Sequence, residues 1–204
     1  MNNISKIKTA LQNNKELKQY FIEAIIDFET KGGHPASNVR DTVSGPLADE
    51  LFMGEKFSKQ LDSGITINFV YNSKIAREFL LSQPAVPNHV WEPQTTKLLL
   101  HFSKNAKNVI IAGAYFGDQA IPVAWNIRES GICHTFEPNK NNSDLIIENA
   151  HLNNLTNVLI NNLALWNKTN EQLVFEGEDA LASTIAADGS TQNVLHTITI
   201  DDYV

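Results

Sequence analysis

The sequence predicts an α/β protein, a parallel sheet with flanking helices over residues 91–204, preceded by a mainly helical extension over residues 1–90. Three observations predict it. From about Glu92 onward, helical stretches alternate with short apolar runs, and strands separated by helices are joined by crossovers and therefore run parallel. The first of these runs ends in a glycine-containing turn, and the second ends in an acidic residue, Glu137. Before Glu92, apolar residues recur mostly at the three- and four-residue intervals of helices.

In the extension, Leu17, Tyr20, Phe21, Ala24, Ile25 and Phe28 line one face of a helix. Gly32-Gly33 close it, since glycine adopts the left-handed conformation of a helix end. Residues 34–44 read as a polar loop. Pro46 suits the first turn of a second helix whose buried side is Leu47, Leu51, Phe57 and Leu61. Residues 65–71 alternate as a strand, 73–81 form a short helix, and Pro84 and Pro87 mark a connector.

Beyond it, Pro93 opens a helix over 92–102, and 109–112 is an apolar strand ending in Gly113. A helix over 118–128 tolerates Pro122 in its first turns, where a missing N–H costs least. Residues 132–136 form the second strand. Ser143 is a candidate cap for a helix that turns Leu145, Ile146, Ala150 and Leu152 to the sheet, and 157–160 form the third strand. Residues 172–175 and 196–200 are further strands around a polar loop.

The turn Gly113-Ala114-Tyr115-Phe116-Gly117-Asp118 joins strand to helix with glycines that let the backbone approach a ligand beside a helix N-terminus. Glu137 follows Gly117 by about 20 residues, the separation of an acid that accepts from ribose hydroxyls. Together these point to a nucleoside site at the carboxyl edge of the sheet. A pyrophosphate cradle is expected to read GxGxxG, and here the middle glycine is Tyr115 or Ala114, depending on register. That favours S-adenosylmethionine, which has no phosphate, over a nicotinamide dinucleotide.

Composition narrows the partners. A formal net charge of -7 lacks the basic footprint of nucleic-acid binding and disfavours anionic membranes, leaving small-molecule or saccharide substrates. Cys133 is the single cysteine, which reads as a buried strand residue in a reducing compartment. The first residues lack a signal-peptide core, and no apolar run reaches membrane-spanning length, so the expected location is cytoplasmic.

The blocks Gly113-Ala114-Tyr115-Phe116-Gly117-Asp118, Phe136-Glu137-Pro138-Asn139 and Glu148-Asn149-Ala150-His151-Leu152-Asn153 resemble those of FkbM-type methyltransferases, roughly GANxG, FEPNPxN and ENxxLN. Trp91-Glu92-Pro93 resembles the family's entry helix, and Thr199-Ile200-Asp201-Asp202 its T-[LI]-D-D segment. The resemblance covers about residues 91–204. It implies the first half of a Rossmann-like class I methyltransferase sheet, with S-adenosylmethionine as cofactor and O-methylation of sugars or natural products as activity. It implies that Gly113 and Gly117, within the turn that includes Ala114, Tyr115 and Asp118, pack on the methionine part of the cofactor. Glu137 would bind the ribose, Pro138 and Asn139 would lie near the adenine, and Leu163 and Ala164 would border its ring.

Two features depart from the family. The acid two positions before the first glycine, which helps hold the cofactor's amino group, is Ile111 here, and Asp118 is the candidate for part of that role. The family also continues into a strand with an IKIDxEG-like block that lies against the first strand, so the expectation is an N-terminal piece of a longer protein, or a sheet completed by another copy.

The general base has no assignment; His34 and His89 are candidates, with surface or packing roles as the alternative. His101, His134, His151 and His196 lack metal-ligand spacing, and Trp91, Trp125 and Trp166 read as core aromatics. The N-terminal helices read equally as a lid or substrate platform over the cofactor edge, or as packing against the sheet's open face. Two other classes compete: a catalytically silent Rossmann-like binding or assembly module, and a nicotinamide-dependent oxidoreductase domain.

Overall fold

The structure, a computed structural model, describes residues 3–31, 36–176, 184–186 and 194–204. Gly32-Gly33, His34 and the polar loop between the last strands lie partly or wholly outside these ranges.

The extension begins with α1 (Asn3–Asn13) and α2 (Lys15–Lys31). The buried face of α2 is Ile22, Ile25, Ile26 and Glu29, whereas Leu17, Tyr20 and Phe28 are exposed. Apolar residues surround this helix on most sides, so periodicity alone could not choose the face; the buried Glu29 does, because Arg40 and Ser44 bond its carboxylate. After α3 (Ala36–Val39) comes a π-helical turn (Arg40–Ser44), and Arg40 there also donates to Glu78 and to the Leu81 carbonyl. Residues 36–44 are therefore largely helical, not loop.

Helix α4 (Gly45–Phe52) carries Pro46 in its first turn as expected but ends at Phe52, and its Leu47 is exposed, not buried. Phe57 lies instead on β1 (Lys56–Gln60), which pairs antiparallel with β2 (Thr66–Val70), and Leu61 is buried at the start of their turn. Helix α5 (Lys74–Leu80) follows, its Ala76 amide donating to the Ser73 hydroxyl at the N-cap.

Helix α6 (Pro93–Ser103) leads into β3 (Asn108–Ala112), α7 (Ala120–Asn126), β4 (Ile132–Phe136), α8 (Lys140–Leu152) and β5 (Val158–Asn161). The three strands form a parallel sheet in the order β3-β4-β5, with Ile111 opposite Thr135 and Thr135 opposite Ile160. The α/β expectation stands at this level. Among the described residues, β3 has β4 as its one strand neighbour. A second sheet, in the order β6-β9-β7-β8, joins β6 (Ala164–Leu165), β7 (Gln172–Glu176), β8 (Thr184–Ala186) and β9 (Val194–Ile198). The last strand stops at Ile198; Ile200 opens α9 (Ile200–Tyr203), capped by Thr199.

One side of the parallel sheet is dry. Ile111, Cys133 and Thr135 are buried there, and α7 packs on β4 while α8 packs on β5. Tyr203 from α9 stands against Phe136 and His134 on the other side, at ring-centroid distances of 4.8 and 5.6 Å. The helix expected to be capped by Ser143 starts earlier: the Asn139 side chain accepts from the Asn141 and Asn142 amides at 2.9 and 3.3 Å. Its Leu145, Ile146 and Ala150 are buried, but Leu152 is exposed.

The extension packs against the sheet's helices. Phe69 and Phe79 meet Phe116 of the glycine turn at centroid distances of 5.9 and 5.2 Å, and buried residues of both halves form one apolar cluster. A polar clamp lies beside it. The Asn149 side chain accepts from the Asn68 amide at 2.7 Å and donates to the Asn68 carbonyl at 2.9 Å. One helical turn later, Asn153 does the same with Thr66, at 2.9 and 2.7 Å. Thr66 and Asn68 turn their N–H and C=O to the same edge of β2, so the two asparagines take the place of a neighbouring strand and cover that edge. Asn149 and Asn153, part of the block that carries the family resemblance, thus hold the extension to α8.

Candidate functional site

The carboxyl ends of β3, β4 and β5 bring three loops together. Backbone pairing continues past the strands: the Gly113 and Ala114 amides both donate to the Phe136 carbonyl, at 2.8 and 3.1 Å, and the Glu137 amide donates to the Asn161 carbonyl at 3.0 Å. The loops after the three strands therefore lie side by side.

The two glycines have different jobs. Gly113 has φ +66°, and a Cβ there would meet nothing within 4 Å, so its outer side is open for a close approach. Gly117 has φ +88°, and a Cβ would lie 3.0 Å from Ile121 Cγ1, so that glycine serves the packing of the turn on α7. Between them Tyr115 is held at φ 49°, a conformation a tyrosine rarely adopts. Its ring is buried and its hydroxyl bonds Asn72 Oδ1 and Ser73 Oγ at 3.0 and 2.7 Å. The extension thereby fixes the glycine turn from behind. The Asn149 amide donates as well to the Phe116 carbonyl, at 2.9 Å.

Glu137 lies against this turn. One carboxylate oxygen accepts from the Tyr115 amide at 2.8 Å and the other from the Asn139 amide at 2.9 Å. The side chain is buried, which raises its pKa above the ordinary value, while the hydrogen bonds from Asn139, Tyr115 and Asn142 pull it back. An ionised carboxylate has about four acceptor sites, and these two amides with Asn142 use three of them. The Glu137 carbonyl accepts from Ser143 Oγ at 2.7 Å and from Asn162 Nδ2 at 2.8 Å, so the loop after β5 is tied to the same point. Leu163 and Ala164 follow directly, half-buried.

Asp118 is 6% exposed and sits where the turn enters α7. Burial pushes its carboxyl up to about 7, its own and the Gln119 amides oppose this, and the charge of Glu92 adds to it. Glu92 stands at φ 46° just before Pro93, so the entry to α6 and the glycine turn carry neighbouring carboxylates. Ile111 is buried among the core residues, which leaves Asp118 as the acid nearest the first strand's end in sequence.

Chain-wide comparison adds nothing to this geometry. No family model, curated protein or solved structure matches the chain.

The structure thus gathers Gly113, Ala114, Tyr115, Gly117 and Asp118 with Glu137, Pro138 and Asn139, and sets Leu163 and Ala164 beside them. Gly113 is exposed and Pro138, Asn139 and Leu163 are half-buried, whereas Ala114, Tyr115, Asp118 and Glu137 are buried. Asn139 has a structural duty as the cap of α8. Sequence reasoning missed Asn72, Ser73, Asn149 and Asn162 as supports of the site; each acts through a contact distant in sequence, which the block that includes Asn149 does not reveal.

His89 is not at this edge. It lines a cleft of about 290 Å³ between α6 and α7, and a second cleft of about 320 Å³ lies between α2 and β1. Trp91 and Trp125 pack against the core, partly buried, but Trp166 is 40% exposed and departs from the core reading. Among the described residues, no group of three or more His, Cys, Asp and Glu side chains could hold a metal ion, and no helix is long and apolar enough to cross a membrane.

Proposed function

We propose that the carboxyl edge of β3, β4 and β5 is the nucleoside site of an S-adenosylmethionine-dependent methyltransferase of the Rossmann-like class I type. The observation that carries this reading is Glu137. It stands about 20 residues past Gly117 and lies against the glycine turn, 2.8 Å from the Tyr115 amide. The residues present fit the cofactor. Gly113 leaves its outer side open, Glu137 keeps one acceptor site for a ribose hydroxyl, and an ammonium beside Asp118 would draw its buried carboxyl to the ionised form.

On this reading Glu137 orients the ribose, Pro138, Leu163 and Ala164 border the adenine, and Asp118 pairs with the amino group of the methionine part. Bound there, the sulfonium supplies an electrophilic methyl group. The chain's part is to hold the acceptor hydroxyl in line and about 3–3.5 Å away. The proposed acceptor is a hydroxyl of a sugar or natural product, in keeping with the FkbM-type resemblance, and the proposed setting is cytoplasmic. Burial pushes the Cys133 thiol up to about 12, so it takes no part as a nucleophile.

A second reading has its own support. Both Glu137 oxygens already bond backbone amides, and Ile111 replaces the family's acid, as in a silent module kept for binding or assembly. Thermal denaturation of the full chain separates the readings. At a hundredfold excess over Kd, S-adenosylhomocysteine is expected to raise Tm by about 5 °C or more, and NADH not at all. A rise with NADH alone would point to the oxidoreductase class, and no rise with either would favour the silent module.

A further inference from the structure

We propose that the free edge of β1 and the facing side of α2 form a groove for a short basic peptide, which binds extended and adds to the hairpin as a third strand.

The pairing register decides which backbone groups are open. The Tyr71 amide donates to the Glu55 carbonyl at 2.7 Å and the Leu61 amide to the Ile65 carbonyl at 2.8 Å, so the odd-numbered residues from 55 to 61 bond the β2 side. Lys56, Ser58 and Gln60 therefore point their N–H and C=O groups away from β2. None of these groups has a hydrogen-bond partner among the described residues. The other edge of the hairpin is covered by Asn149 and Asn153. An uncovered edge is a ready template for another strand.

A cleft of about 320 Å³ runs along this edge, and the four consecutive β1 residues 57–60 line it. The side chains of Phe57 and Lys59 share a face with Phe69, whereas Ser58 Oγ bonds Asn68 Oδ1 at 2.5 Å on the opposite face. A cleft that touches both sets lies against the strand's edge, where the open backbone groups are. The facing wall is α2. Ile22 and Ile26 are buried at its base, and Gln19, Glu23 and Asp27 follow at four-residue intervals along its exposed rim. Lys18 bonds Glu55 at 2.5 Å and fixes α2 to the start of β1.

The charge of the occupant follows from the rim. Glu23 and Asp27 make it negative; the Asp27 pair with Lys31 is exposed and screened by solvent. Lys59, the one cation of the lining, stands on the strand side and donates to the Ala85 carbonyl at 3.4 Å. A lysine or arginine side chain suits this wall, its apolar stem over Ile22 and Ile26 and its charged head at the rim. The chain's net charge of -7 attracts the same kind of partner from a distance. A second copy of β1 fits less well, because it would bring Lys56 and Lys59 alongside their own like charges. Main-chain bonds to the edge supply the affinity, and alternate side chains in the cleft supply the selectivity.

The test is a titration of the full chain with a capped pentapeptide of alternating threonine and lysine, followed by amide nuclear magnetic resonance and hydrogen exchange. Saturable shifts and slowed exchange are expected at the Ser58 and Gln60 amides, and no added slowing at Phe57 and Lys59, which already bond β2. The same peptide with every backbone amide N-methylated keeps its charge and should bind at least about tenfold more weakly. A peptide with glutamate in place of lysine should not bind. Glu23→Lys, on the exposed side of α2, should weaken binding about tenfold. Ser58→Pro removes one outward N–H, which an edge strand tolerates, and should weaken it as well. The N-methylated peptide decides the matter without a variant should either substitution prevent folding. No saturable shift, equal binding of the N-methylated peptide, or slowed exchange at Ser58 and Gln60 that grows with protein concentration in the absence of peptide overturns the proposal.

Discussion

Asn149→Ala is expected to destabilise the chain by about 3–5 kcal/mol, since three backbone groups lose their side-chain partner at about 1 kcal/mol or more each. The side chain is fully buried and bonds the Asn68 amide, the Asn68 carbonyl and the Phe116 carbonyl. Alanine fills none of these roles and opens a cavity besides. For a chain of this size the loss corresponds to a fall in Tm of about 10 °C. Thermal denaturation followed by circular dichroism reads it directly. The comparison is Lys56→Ala, which breaks the exposed ion pair between β1 and Glu148, the residue before Asn149 on α8. That variant should cost less than about 1 kcal/mol, because solvent screens such pairs. Equal effects of the two would mean that the asparagine does not hold the extension to α8.

The second large effect concerns pH. In the unfolded chain Asp118 titrates near about 3.9, and in the folded chain it titrates at about 7. The folded state therefore binds the proton more tightly. The stability this confers is fully present below about pH 4 and is lost as pH rises toward 7, a span worth about 4 kcal/mol. Asp118→Asn removes the titration, so the variant's Tm should exceed that of the unmodified chain by a margin that grows from pH 4 to pH 7 and then levels. The difference between the two proteins is the quantity to follow, because His89 slopes the other way. Its folded pKa is depressed to about 4, so its stability is present above about 6.5 and lost as pH falls. A margin independent of pH would show that Asp118 is ionised throughout. If Asp118 receives the cofactor's ammonium, ligand affinity should also strengthen as pH rises through 7.

The parallel sheet was legible because each strand is a short apolar run bounded by turn residues, and the spacing from Gly117 to Glu137 placed the two loops before any contact was known. The hairpin was half legible. β2 alternates clearly, but β1, Lys56-Phe57-Ser58-Lys59-Gln60, offers a single apolar residue and reads as the tail of a helix. The face of α2 was half legible: Ile25 and Phe21 turn to the core, but Leu17, Tyr20 and Phe28 are exposed, and Ile22, Ile26 and a glutamate held by Arg40 complete the buried side. At the site, the residues themselves were legible, but their support was not. Tyr115 reaches Asn72 and Ser73, and Asn149 reaches Phe116, across more than thirty residues each. The burial that raises the Asp118 pKa exists only once the glycine turn, α6 and α7 have come together.

The most direct test of the cofactor site is calorimetric titration of the full chain with S-adenosylhomocysteine, beside Glu137→Ala and Glu23→Lys. The reading predicts saturable binding at one site, weakened at least about tenfold by Glu137→Ala and unchanged by Glu23→Lys. A folded, unmodified chain that takes up no ligand, or a Glu137→Ala variant that binds as tightly, would contradict it.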